Sequence, residues 1–415
     1  MSVRRTAAVL AATAVLGAVI APAASAADSS PSPSPSVALP SGLFGSADPT
    51  YDGVWRQSLA LLAQHTVGVR PAAKAVYWLT GQQCANGAYA AYRADVTAAC
   101  DAKTQVDTNS TAAAVQALGA LGGHDDATGR AVTWLKSVQN KDGGWGYMAG
   151  GPSDTNSTSV VIGALKAVGK KPASVTKDGK SPYDTLVKLS KVCGGEGGGA
   201  FAYQPDKTGK LVANADATAA GVVASLGQGF VAEAGLEPYD LTQCVIAETP
   251  NRTDAGSNGA DYLARSLAKT PYLKSALPGA KDQPDYGNTA DAVVALSADG
   301  ATKLAKEPLA WLEKNSADWA AKSGPAAYAQ LIFAAHATGT DPRDFGGKDL
   351  VAQLNATGPA PAAAAGASAS PSEKKNDEKK DDGNGLGVWW IIGVGLVAGI
   401  GIGFLISGRN KKRQL

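Results

Sequence analysis

Two segments of this chain open helices in nearly the same way. Asp107-Thr108-Asn109-Ser110-Thr111 leads into TAAAVQALGALG, and Asp154-Thr155-Asn156-Ser157-Thr158 leads into TSVVIGALKAVG. A duplicated helix start marks a repeat architecture, in which each unit is too small to bury its own apolar face and must stack on the next.

The fullest unit runs from Ala131 to Gly169. Trp134 and Leu135 close one helix whose end carries Gln139, an Asp142-Gly143-Gly144 turn presents Trp145, and Asp154 to Ser157 starts a second helix. The Gln139 amide is expected to bond peptide groups at helix ends while stacking on the Trp145 ring, with the glycines letting the backbone turn beneath. Asp154 or Ser157 is a natural N-cap, Val160, Val161, Ala164, Leu165 and Val168 make one apolar face, and Gly169 fits a C-cap.

Aligned on these starts, Thr111 and Thr158 correspond to Thr218 in NADATAAGVV, to Thr289 in YGNTADAVVALSADG and, with less resemblance, to Tyr328 in AAYAQLIFAAHATG. Gln57 takes the same place in the first helix, 54–67. Alternate helices fall near 71–83, 128–139, 182–193, 259–267, 303–314 and 348–354, so six plus six makes twelve. The last lacks a following partner and the first a preceding one. Each can complete the other, which predicts an all-α closed double ring, with the alanine-rich helices as a crowded inner layer.

The pattern W-L-x-x-x-Q-x-x-x-G-x-W at Trp134 to Trp145 resembles the repeat of the terpenoid-cyclase and prenyltransferase toroids. That (α/α)6 ring is shared with squalene cyclases, protein prenyltransferase β-subunits, complement thioester domains and the cobalamin carriers transcobalamin and intrinsic factor. Trp78 with Gln82 gives a partial copy, and Cys193 to Phe201 and Trp311 to Trp319 give weak ones. The resemblance spans about Asp48 to Thr357 and supports the fold more than any activity.

In such a ring the inner-helix N-termini gather at one mouth of a central cavity. The residues expected there are Gln57, Asp107, Asn109, Asp154, Asn156, Asn214, Asp216, Asn288, Asp291 and Gln330, joined from the turns by Tyr89, Trp145, Tyr147, Phe201, Tyr203 and Tyr286. A polar rim with aromatic walls suits a small amphipathic molecule. Any one of the Asp, Asn, Ser and Thr residues would also be accounted for as a helix cap.

The catalytic motifs of the related toroids are missing. Asn214-Ala215-Asp216-Ala217 lacks two acids of the D-x-D-D segment of protonating cyclases. Asp125-Asp126, expected in a loop, lacks the D-D-x-x-D spacing that holds magnesium on diphosphate. His65, His124 and His336 lie in separate segments with no zinc-ligand spacing, and Cys193-Gly194-Gly195-Glu196 lacks the glutamine of a thioester motif. No catalytic residue, metal or required cofactor is therefore assigned. A pair among Asp107, Asp154, Asp216 and Asp291 could supply the facing carboxylates of a glycosidase, and nothing singles one pair out. An exported enzyme acting on glycans or polyprenyl and terpenoid lipids, and a cell-surface scaffold or adhesion module, stand as alternatives to a binding protein.

Among these toroids, the chain resembles the cobalamin carriers in chemical style. The resemblance implies a corrinoid as a ligand, held at inner-helix starts such as Asp107-Thr108 and Asp154-Thr155. Those carriers close over the ligand with a small β-rich domain. None follows Leu354 here, so a separate lid domain or a transporter partner would have to complete the site. Four cysteines in an exported chain suggest two disulfides, and sequence order favours Cys84 with Cys100 and Cys193 with Cys244 among three pairings.

The flanks are of other kinds. Arg4 and Arg5, an apolar run and Ala24-Ser25-Ala26 read as a signal peptide over 1–26, followed by a Ser/Pro spacer over 27–47. The ring is assigned to 48–357 and a low-complexity linker to 358–386. Val388 to Ser407 carries no charge and opens with Trp389-Trp390, predicting a single membrane span over 387–408 with the basic tail 409–415 inside. Gly395 and Gly399 form a G-x-x-x-G on that span. No L-P-x-T-G precedes it, so covalent wall attachment is not expected. The formal charge of +2 gives no reason to expect nucleic acid as a partner. The Ala- and Gly-rich alphabet with these appendages resembles exported proteins of high-GC Gram-positive bacteria.

Overall fold

The computed structural model describes residues 39–235, 244–247, 251–275 and 282–363. The expected signal peptide, most of the spacer, the membrane span and the basic tail lie outside them. Among the described residues no helix is long and apolar enough to cross a membrane.

The protein is mostly helical. Six helices form an inner set: α1 (Gly53–Thr66), α3 (Thr108–Leu121), α5 (Thr155–Ala167), α7 (Ala215–Ser225), α9 (Tyr286–Ala298) and α12 (Pro325–Thr338). Each lies against the next, and α12 returns to lie against α1, so the set closes on itself. A second set covers it: α2 (Ala73–Gly81) on α1, α4 (Asp125–Ser137) on α3, α6 (Pro182–Leu189) on α5, α8 (Arg252–Leu267) on α7, α10 (Thr302–Asn315) on α9 and α13 (Leu350–Ala356) on α12. One extra short helix, α11 (Ala317–Ser323), lies between α10 and α12 and brings the α-helices among the described residues to thirteen.

The two sets differ because their sequences do. In α3 every residue from Thr108 to Leu118 is buried, and in α5 every residue from Thr155 to Leu165. Helices enclosed on all sides need small side chains where they meet, and Gly119 sits against the Ala167 backbone where α3 crosses α5. The outer α4 buries one stripe, including Ala131, Val132, Trp134 and Leu135, and leaves the rest to solvent. Asp125 and Asp126 do not lie in a loop; they form the first turn of α4, where carboxylates favour the helix dipole.

The position that aligned the repeats plays one part throughout. The hydroxyl Oγ1 of Thr111 accepts the main-chain N–H of Tyr89 at 2.9 Å, Thr158 that of Trp145 at 3.1 Å, Thr218 that of Phe201 at 3.0 Å and Thr289 that of Leu273 at 2.9 Å. In α1 the place is taken by Gln57, whose Oε1 accepts the N–H of Phe44 at 2.8 Å. Each of these inner helices thus holds the incoming turn of its own unit. Three antiparallel two-stranded ribbons deliver some of these turns: β1 (Tyr89–Ala90) with β2 (Val106–Asp107), β3 (Ala202–Pro205) with β4 (Leu211–Ala213), and β5 (Leu273–Lys274) with β6 (Pro284–Asp285). In the turn after α4 the Gln139 amide bonds peptide groups, its Nε2 donating to the carbonyls of Gly143 at 2.8 Å and Val175 at 3.1 Å, and Trp145 Nε1 donates to that of Leu135 at 2.7 Å.

The folded region reaches back beyond Asp48 into the stretch expected to be spacer. Leu43 and Phe44 are buried, Gly45 N–H donates to the Thr357 carbonyl at 2.8 Å, and Gln64 Nε2 donates to Asn355 Oδ1 at 2.6 Å, so the two ends of the ring are joined directly. Disulfides link Cys84 to Cys100 and Cys193 to Cys244. Two disulfides fit an extracellular or exported protein.

Candidate functional site

The first turns of α5 and α7 and the second turns of α9 and α12 bring polar side chains together inside the ring, and their helical spacing carries the same faces on into apolar ones. Asp216 is followed by Ala219, Ala220 and Val223 on α7, Asp291 by Val294 on α9, Gln330 by Phe333 on α12, and Asn156 by Ser159 and Val160 on α5. With Trp55 and Leu59 of α1 and Gln116 of α3, every inner helix contributes to one central cavity of about 100 Å³.

At the polar end, Asn156 Nδ2 donates to Asp216 Oδ2 at 2.8 Å, and Gln330 Nε2 donates to Asp291 Oδ2 at 3.1 Å. Asn156 Oδ1 and Ser159 Oγ, both buried, have no hydrogen-bond partner among the described residues. Burial, reinforced by the neighbouring Asp291 charge, pushes the Asp216 carboxyl up to about 8, while Asn156 acts against it. Burial likewise lifts Asp291 to about 7 against the bond from Gln330. Among the described residues, no Lys, Arg or His lines the cavity.

The other end is apolar and is closed by the segment that follows α7. Its Phe230 meets Trp55 edge-on, with ring centroids 5.3 Å apart, next to Phe333. The Phe230 N–H donates to Gln116 Oε1 at 3.0 Å. Gly229 lies so close to the Gln116 amide that a side chain there would collide with it and crowd Gly163. Further on, Gly235 N–H donates to the Ser297 carbonyl at 2.9 Å and Glu233 lies 3.4 Å from His336, so the segment joins the C-terminal ends of α7, α9 and α12.

Of the residues expected to face a ligand, Asn156, Asp216, Asp291 and Gln330 meet in this cavity. Gln57, Tyr89, Trp145 and Phe201 are fully enclosed between inner and outer helices, holding the repeat together. Asp107, Asp154 and Asn214 are N-caps, accepting from the N–H groups of Ser110 at 2.6 Å, Ser157 at 2.6 Å and Ala217 at 2.8 Å. Burial pushes the Asp107 and Asp154 carboxyls up to about 6 in spite of these bonds. The N-cap of α9 is Asp285, and Asn288 donates to its Oδ2 at 2.8 Å. Asn109 is buried with its amide unpartnered among the described residues, and Tyr203 stands beside Asp154. Tyr147 joins Asp107 in a separate groove of about 570 Å³ bordered by the 90–105 loop. Tyr286 stacks between Trp311 and Trp319, at 5.0 and 5.5 Å.

Trp55, Gln116, Ser159, Phe230 and Phe333 complete the cavity and were not among the sequence candidates. Ser159 and Phe333 are legible as the i+3 continuation of the Asn156 and Gln330 faces. Phe230 has no such signal, because it reaches the cavity from a segment outside every helix. Among the described residues no group of three or more His, Cys, Asp or Glu could hold a metal ion.

No protein-family model and no curated protein matches this chain. Among solved structures the chain is similar to one described as a protein from Actinoplanes, at 13% identity, covering 68% of this chain and all of that one, with a TM-score of 0.31. A score that low carries no argument about fold or activity.

Proposed function

We propose that this chain is an exported, membrane-tethered (α/α)6 toroid of the terpenoid-cyclase and prenyltransferase type that binds a small molecule in its central cavity and catalyses nothing. The observation that carries the reading is the pair of unpartnered buried groups, Asn156 Oδ1 and Ser159 Oγ, beside Asp216 in a cavity lined from all six inner helices. A buried polar group left unsatisfied costs about 1–3 kcal/mol, so a ligand or ordered water that satisfies two of them is favoured. Polar groups at one end and Trp55, Phe230 and Phe333 at the other suit an amphipathic molecule.

A corrinoid does not fit. Sites for drug-sized ligands span roughly 300–1,000 Å³. The cavity holds about 100 Å³ and Phe230 closes one end of it. The tether is the apolar run 387–408, and a lid or transporter partner would act at the mouth formed by the N-terminal turns.

The test is native mass spectrometry of the full chain in detergent. Binding predicts a small retained mass that Ser159→Phe, which fills the cavity, displaces. A wild-type mass equal to the bare polypeptide, with small-molecule probes giving no thermal shift, would sink the reading.

One observation favours a second reading. With Asp107 and Asp154 engaged as caps, Asp216 and Asp291 are the pair left to act as facing carboxylates, and their raised affinities for protons suit a general acid. An exported glycan hydrolase predicts turnover of an oligosaccharide that Asp291→Asn abolishes.

A further inference from the structure

We infer that the molecule held in the central cavity is a small organic cation, its ammonium group between Asp216, Asp291, Asn156 and Ser159 and its alkyl groups against Trp55 and Phe230. This rests on the cavity-binding reading above and names the ligand class.

The first ground is the sense of the hydrogen bonds. The amide N–H groups of Asn156 and Gln330 are already directed at the two carboxylates. What lacks a partner among the described residues at the polar end is Asn156 Oδ1, which can only accept, and Ser159 Oγ, which can do either. An anion meets two acids and no basic side chain there. A cation pairs with the two carboxyl groups as they ionise, which a neutral polyol cannot do.

The second ground is the wall. Trp55 and Phe230 stand edge-to-face at 5.3 Å, with Phe333 nearby, and aromatic faces attract alkylammonium groups by about 0.5–2 kcal/mol each once water is excluded. The third is size: about 100 Å³ admits a compact ammonium ion and excludes large amphiphiles.

The charge balance gives a distinctive signature. The ionisable groups acting on Asp216 and Asp291 are these two carboxyls themselves with Asp285, Asp154 and the Tyr203 phenol, all acidic. A cation between Asp216 and Asp291 lowers the proton affinity of both, so binding near neutral pH releases protons and strengthens as pH rises.

The experiment is calorimetric titration of the full chain in detergent with tetramethylammonium chloride, at pH 6.0 and 8.5, in two buffers of different ionisation heat. Sodium chloride and neopentyl alcohol, a neutral body of similar shape, serve as controls. The expected result is saturable binding at least about tenfold tighter at pH 8.5, proton release visible as a buffer-dependent heat, and no saturable response to sodium. Asp216→Asn is expected to weaken binding about tenfold or more, and should it fail to fold, the wild-type pH and buffer comparisons decide alone. Neopentyl alcohol binding as tightly as tetramethylammonium, without pH dependence, overturns the cation assignment and leaves the cavity-binding reading standing. No binding by either probe, together with a bare polypeptide mass, removes both.

Discussion

Gln116 ties the interior of the ring to a residue 114 positions further along the chain: its Oε1 accepts the Phe230 N–H at 3.0 Å. Its Nε2 donates to the Val160 carbonyl at 3.0 Å, so one amide fixes α3 to α5 and anchors the segment that shuts the cavity. Gly163 and Gly229 make room for it from both sides.

Gln116→Ala leaves the Phe230 N–H without its acceptor and is expected to cost about 1–3 kcal/mol, read as a lower urea midpoint with unchanged m-value. Phe230→Ala removes the ring that meets Trp55 while keeping that N–H bond. It should enlarge the cavity and shift selectivity towards bulkier ammonium ions, measured by thermal shift across a series from tetramethyl- to tetraethylammonium.

Stability should fall as pH rises. Asp216 and Asp291 have folded-state affinities raised to about 8 and about 7 from an ordinary value of 3.8, so the folded protein binds more protons than the unfolded chain between those limits. Their contribution is fully present below pH 3.8 and is lost through pH 7 to 8. Asp107 and Asp154, raised to about 6, act in the same direction at lower pH. Melting scans at pH 5.5 and 8.5 should show the higher Tm at pH 5.5, and Asp216→Asn should flatten the difference. A Tm that rises towards pH 8.5 contradicts the burial of these groups.

Each repeat threonine makes a separable contribution. Thr158→Val keeps the shape and deprives the buried Trp145 N–H of its acceptor; Thr218→Val does the same to Phe201. Each is expected to cost about 1–3 kcal/mol in chemical denaturation. The double variant should cost close to the sum, since the two threonines bond to different turns.

The disulfides differ in the loops they close. Residues 84 and 100 are 16 apart and residues 193 and 244 are 51 apart. Loop-entropy arguments give about 3 kcal/mol for the first and about 4 kcal/mol for the second. Paired Cys→Ser variants should therefore rank in that order in unfolding experiments under non-reducing conditions.

The repeat, the inner and outer sets and the disulfide pairs were legible because each depends on local pattern: an Asp-Thr-Asn-Ser start, a Trp with its Gln, an order of cysteines. The cavity was legible only in part. Sequence pattern points every helix-start residue inwards, but an N-cap must direct its oxygen at its own backbone, and that geometry withdraws Asp107, Asp154 and Asn214. Asp216 and Asp291, placed inside the helices rather than at their caps, keep their side chains for the interior. Gln57 aligns with the threonines, and that alignment implies what it does, since a position shared with Thr158 holds a turn. Phe230 could not be foreseen, because its place depends on a long-range bond to Gln116 that no local pattern encodes.

Because Gly45 and Thr357 share a hydrogen bond across the seam between the first and last helices, this array has no terminal unit. An open stack of helix pairs can fray from either end one pair at a time, whereas here every pair has two neighbours and the loss of any one opens the whole circle. Such a molecule should melt in a single transition. It should also tolerate being cut in the exposed turn at 206–209 and rejoined near residues 45 and 357, since circularity makes the choice of starting point incidental to the fold.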